Sequence, residues 1–189
     1  MNIFVLHSDP TKAARMHCDT HCSKMILESA QMLSTAAHFA SGKLKIVEKA
    51  NGKKGYHISG TLSGIYGVDV RHVFHPCTLW TLSSRSCAEW LLELAEELHT
   101  EKLFRTNRGH KSIDVVRKCR KHILRLEDAG LIKHALAMPD RHKCASVVTS
   151  YRSTYIHEKA HLLEYTRRDP PAWLAKHFIW QEQQVAFRK

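Results

Sequence analysis

The spacing of apolar and polar residues over 17–40 predicts a helix with two faces of opposite character. At 100° per residue, Ile26, Ala30, Leu33, Ala37 and Ala40 recur as a buried stripe. His17, His21, Lys24, Glu28, Gln31 and Thr35 line up on the far side with the same spacing. Asp19, where the helix reaches back that far, falls on the buried azimuth, so a carboxylate is pressed toward the core. The polar stripe carries the residue types of acid, base and anion-binding groups, and any solvated helix face offers the same alternation.

The flanking pattern predicts the remaining elements. Met1 to Leu6 is short, apolar and β-prone, the pattern of an extended arm tucked against a core. Asp9 before Pro10 signals a helix start, since aspartate caps free backbone donors and proline suits the first helical position. One helix from Pro10 to Phe39 would be unusually long, so a break is expected near Cys18 to Thr20, with Gly42 as the stop. Apolar residues on both sides of Asn51-Gly52 predict a β-hairpin within an excursion over 43–67.

Pro76 holds His75 extended or at a helix start. Ser83 or Ser84 then caps a helix with Trp90, Leu91, Leu94 and Leu98 inward and Glu93, Glu96, Glu97 and Glu101 outward. Further helices are expected from Ser112 to Ala129 and from Ser146 to Thr166, with Trp173 opening a short last one. The fold class that follows is mainly α: a compact single-domain helical bundle over 1–189 with a small β-hairpin excursion.

Composition narrows the functional classes. A chain of 189 residues, 43% hydrophobic and 25% charged, has the balance of a folded globular protein rather than a disordered one. No apolar run is long enough for a bilayer and the start lacks the pattern of an export signal, so a cytoplasmic location with six reduced cysteines is expected. The net charge of +11 is unevenly spread: residues 1–104 carry +1 and residues 105–189 carry +10. That asymmetry points to a polyanionic partner, nucleic acid first and a membrane surface second.

Three groupings carry candidate chemistry. Asp19, His21 and Lys24 are the candidate acid–base set, with His17 and Glu28 contributing to substrate binding; Lys24 and Glu28 at i, i+4 also make an ordinary intrahelical ion pair. His72, His75 and Trp80 form a candidate opposing wall, suited to stacking on and hydrogen bonding an extruded base, or Trp80 simply packs. Arg117, Lys121, Arg152 and Lys159 are the candidate phosphate contacts. His17, Cys18, His21 and Cys22 invite a zinc reading, yet a structural zinc site usually shows two short ligand pairs and only one is present. Neither a metal nor a cofactor is expected.

Three segments together carry a resemblance. "MNIFVL", "DP", "HCD" and "KMI" with "AQMLSTA" come first, then "HPC" with a later "WLL", then "MPD" followed by "SYR" and a closing "PPAW". They resemble a family of small phage proteins labelled pyrimidine-dimer DNA glycosylase-like. The resemblance implies a helical protein in the cytoplasm of an infected bacterium that grips kinked DNA, extrudes a pyrimidine nucleotide and cleaves its glycosidic bond. It also implies that the N-terminal amine is the nucleophile and that a glutamate near the start assists. Here Asn2 is large enough to protect Met1 from removal, which would give the amine to Met1. No glutamate precedes Glu28, leaving Asp19 as the nearest candidate for the assisting carboxylate, and His7 stands where an acid is expected. The expected partner is double-stranded DNA. Two further readings stay open: a transferase acting on a hypermodified phage pyrimidine, and a non-catalytic DNA-binding protein.

Overall fold

The computed structural model describes residues 1–177. Its organising element is α2 (Asp19–Ala40), packed by helices on several sides. A shorter α1 (Pro10–Met16) precedes it, started by Asp9, whose carboxylate accepts from the Lys12 amide at 2.8 Å. The expected break falls at His17 and Cys18, both extended, and the Asp19 amide leaves the helix ladder to donate to the Glu164 carbonyl at 2.9 Å. Helix α2 ends at Ser41, with Gly42 at φ +68°, a conformation that favours glycine.

The hairpin pairs β1 (Leu44–Glu48) with β2 (Lys54–Ile58), antiparallel, Leu44 opposite Ile58 and Glu48 opposite Lys54. Its connection is five residues long rather than two. Gly52 takes φ +72° and the Asn51 carboxamide accepts from the Lys53 amide. Next come α3 (Pro76–Leu82), α4 (Arg85–Thr106) and α5 (Ser112–Ile123), and α3, α4 and α5 all pack on α2.

Two helices are shorter than their periodicity suggests. Helix α5 stops at Ile123 because Glu127 and Asp128 turn back to satisfy the start of α4. The Arg85 amide donates to the Glu127 carbonyl, and Asp128 accepts from the Ser86 amide and from the hydroxyls of Ser84 and Ser86. Helix α6 (Val147–Glu158) stops before a 3-10 turn at Ala160–Leu162. Residues 172–177 are helical, and the rest of the chain lies outside the described residues. Among the described residues no helix is long and apolar enough to cross a membrane.

The N-terminal arm closes the bundle. Ile3, Phe4, Val5 and Leu6 are all buried, and Arg152 on α6 donates from Nε to the Leu6 carbonyl at 3.0 Å. Parts of the polar stripe of α2 are covered, His21 by Phe4 of the arm and Tyr155 of α6, and Thr35 by the loop at Asp69. His21 and Thr35 are buried beneath neighbouring elements, while Lys24 is exposed and Glu28 and Gln31 are half-buried.

Candidate functional site

The first two residues are fixed in place by contacts from distant parts of the chain. Asn2 donates from Nδ2 to the Ala137 carbonyl at 2.9 Å and accepts from the Ile3 amide at 2.7 Å. Its own amide donates to Glu28 Oε2 at 2.7 Å. The Met1 side chain is buried, and its sulfur accepts from the Thr78 hydroxyl on α3 at 3.4 Å. Phe4 turns the arm with φ +52°, a left-handed conformation costing a non-glycine residue about 1–2 kcal/mol, which the surrounding packing offsets. These contacts set the α-amine of Met1 3.9 Å from Glu28 Oε2.

Around that pair lies a cavity of about 200 Å³ lined by Met1, Asn2, Phe4, His21, Lys24, Met25, Glu28 and Lys159. The Lys24 ammonium is 3.8 Å from Glu28 Oε1. His21 is held flat against Phe4, with ring centroids 4.6 Å apart and planes at 18°. The Tyr155 hydroxyl lies 2.5 Å from His21 Nδ1. Burial, followed by the positive charges of His17, Lys159 and Lys24, lowers the His21 pKa to about 3. It is therefore a neutral ring at physiological pH. Tyr155, fully buried, is pushed well above the usual phenol range by that burial and stays protonated. The cavity thus joins an amine, a carboxylate, a neutral imidazole and two lysines.

Several expected site residues belong elsewhere. Asp19 is nine residues from Glu28, about 180° round the helix, and faces α4 instead. It accepts from Arg105 Nη1 at 2.8 Å and from the Thr166 amide and hydroxyl. Partial burial alone would raise its pKa, but the Thr166 and Arg105 hydrogen bonds outweigh it and lower it. An ionised carboxylate saturated with donors is an anchor, not a proton shuttle. His17 is fully buried, donates from Nδ1 to the Ala13 carbonyl at 2.8 Å, and is lowered to about 4 by burial, so it cannot meet a substrate. Trp80 is also core: Nε1 donates to the Ile132 carbonyl, and its ring stacks on His134 at 4.4 Å. Arg152 is committed to Leu6 and to the face of Trp173, leaving no free fork for a phosphate.

The remaining assignments divide. Lys159, expected at a phosphate, lines the cavity. His75 caps α3, accepting from the Cys77 amide; burial, the Met1 ammonium and His72 lower its pKa. His72 pairs with Asp69 at 2.9 Å and meets the edge of His75. His75 feels the Met1 ammonium, but neither histidine lines the cavity, so they do not form the opposing wall expected of them. Arg117 and Lys121 are exposed on α5, which meets α2 at Ser34 and Cys119, about 120° round α2 from Glu28.

Sequence reasoning missed the pairing of Glu28 with the amine and the rivet role of Asn2. Both depend on contacts across 26 and 135 residues, which no local spacing encodes. It also missed Arg105, a buried guanidinium that binds Glu101, Asp19 and the carbonyls of Arg15 and His17. The i, i+4 spacing of Glu101 and Arg105 was the available signal. Cys18 and Cys22 are buried thiols, and burial pushes Cys22 up to about 12. Among the described residues no three His, Cys, Asp or Glu side chains are grouped to hold a metal ion.

No family model matches this chain, and neither a curated protein nor a solved structure is significantly similar to it.

Proposed function

We propose that the chain is a DNA N-glycosylase that works on an extruded pyrimidine nucleotide, with the Met1 α-amine as nucleophile and Glu28 as its proton partner. The observation that carries this reading is the amine held 3.9 Å from a largely buried carboxylate in a small cationic cavity. α-Amines as a class are weaker bases than lysine side chains, so more of the free, nucleophilic form is present near neutral pH. The cavity is smaller than the roughly 300–1,000 Å³ of drug-sized sites, which suits one base or sugar ring rather than a larger ligand.

The reaction runs as a displacement at C1′. The Met1 nitrogen bonds to C1′ while the bond from C1′ to the base breaks, its electron pair going to the departing base, which takes up a proton from water. Glu28 accepts the proton released by the new ammonium and returns it to O4′ as the sugar ring opens, leaving a protonated imine. Lys24 and Lys159 stabilise the anionic sugar–phosphate beside the reacting centre, and neutral His21 offers its free Nε2 as a hydrogen-bonding group.

The test is incubation with duplexes carrying defined pyrimidine lesions or modified pyrimidines, with and without borohydride. The expected outcome is base release together with a reduced protein–DNA adduct that maps to the N-terminal peptide, both at least about 100-fold weaker in Glu28→Gln. Base release without an adduct would replace the amine by water. A mass added to the DNA would make the protein a transferase. Salt-dependent binding with neither product would make it a non-catalytic DNA-binding protein.

A further inference from the structure

We infer that the β-hairpin and the loop after it form a nucleic-acid-binding face that leads a strand into the amine pocket. Within residues 43–58 there are five lysines and one acid, Glu48, a local charge of +4. This density is hidden in the near-neutral total of residues 1–104, because Glu89, Glu93, Glu96, Glu97 and Glu101 on α4 cancel it. In three dimensions the two groups sit on different elements. Lys45, Lys49, Lys53 and Lys54 are exposed, and none pairs with a carboxylate among the described residues.

The apolar part of this face is also on the surface. Tyr56 on β2 is 39% exposed and Phe74 is 37% exposed, with ring centroids 5.9 Å apart; Val70 between them in sequence is half exposed. Exposed rings set among unpaired cations suit a ligand with both π-faces and phosphates. Phe74 leads directly into the start of α3, whose Thr78 hydroxyl donates to the Met1 sulfur. His75 feels the Met1 ammonium, and a cleft of about 480 Å³ lined by Leu27, Gln31, Tyr66, Asp69 and Arg71 lies beside Glu28, one turn along α2. That cleft is anchored by Tyr66, whose hydroxyl meets Ser112, and by the Asp69 amide, which donates to Thr35. An anionic membrane would also attract the lysines, but paired exposed rings and a cleft lined by the loop after the hairpin suit the bases and phosphates of a strand.

This inference rests on the glycosylase reading only for its choice of ligand, and its test is separable. Binding of the full chain to a fluorescent 20-bp duplex is measured over a salt series, beside vesicles rich in anionic lipid. The variant carries Lys45→Ala, Lys53→Ala and Lys54→Ala; a second carries Tyr56→Ala and Phe74→Ala, and both are checked for unchanged melting. The lysine variant is expected to lower the log–log salt slope by about 2 to 3, near 0.9 per lost phosphate contact. The aromatic variant is expected to bind at least about fivefold more weakly with the slope unchanged. An unaltered slope and affinity in both variants overturns the inference, as does a loss confined to vesicle binding. Adduct trapping at saturating DNA reads the pocket instead. The hairpin variants keep it when only the hairpin assignment fails, and wild-type protein lacks it when only the glycosylase reading fails.

Discussion

At the scale of single residues, buried neutral histidines are the most consequential feature. Burial lowers His17 and His134 to about 4, and burial with nearby cations lowers His21 to about 3. Each lies below the 6.5 of an unfolded histidine, so acid protonates the unfolded chain first. Their effect is absent above pH 6.5 and grows as pH falls toward 4. The urea midpoint is therefore expected to drop steeply between pH 6.5 and 4.5, before the carboxylates titrate. His134→Phe, which keeps the stack against Trp80, is expected to make that slope shallower by about one proton, read from midpoints across pH. The sequence placed His21, Lys24 and Glu28 on one face correctly, since 3.6-residue periodicity is a local property. It misjudged Asp19, whose role is set by Arg105 and Thr166 and not by its own helix.

Among elements, the junction between α1 and α2 depends on that carboxylate. Asp19 ties the start of α2 to the end of α4 through Arg105 and to the segment after the 3-10 turn through Thr166. Arg168 adds a second guanidinium on Glu101. Asp19→Ala leaves Arg105 with one carboxylate fewer. Because Asp19 is partly exposed, the expected loss is about 1–2 kcal/mol of unfolding free energy in urea, with base release within about twofold of wild type. A larger loss of activity than of stability would return Asp19 to the chemistry. The start of α1 and the hairpin were legible because Asp-Pro and Asn-Gly act within a few residues, whereas the serine expected to cap α4 gives its hydroxyl to Asp128, which does the capping. The ends of α5 and α6 were not legible. Each yields to a tertiary demand, the capping of α4 by Asp128 in one case and the bonding of Glu164 and Thr166 to Asp19 in the other.

For the whole molecule, the arrangement of charge differs from its order along the chain. The sequence located the cationic excess after residue 104, yet Arg152 is spent internally, and Arg117 and Lys121 stand well round the bundle from the cavity. Lys159 alone of the four crosses to the pocket. A split by chain position averages over elements that fold onto different faces, which is why the hairpin lysines went unseen. The proposed chemistry also makes the free amino end a functional requirement. A Gly-Ser extension ahead of Met1 converts the amine to an amide and fills the space beside Glu28. It is expected to abolish base release, measured against enzyme from which the extension has been cleaved, with circular dichroism unchanged.

The anchoring of Asn2 to Ala137, of Met1 to Thr78 and of His21 to Tyr155 has a consequence for biosynthesis. Met1 and Asn2 are translated well before the last walls of their socket, which follow more than a hundred residues later. Until then the nitrogen has no carboxylate held beside it and no cavity around it. On the proposed mechanism, competence therefore depends on the segments that carry Ala137, Tyr155 and Lys159, and a fragment ending before them has the amine without its socket.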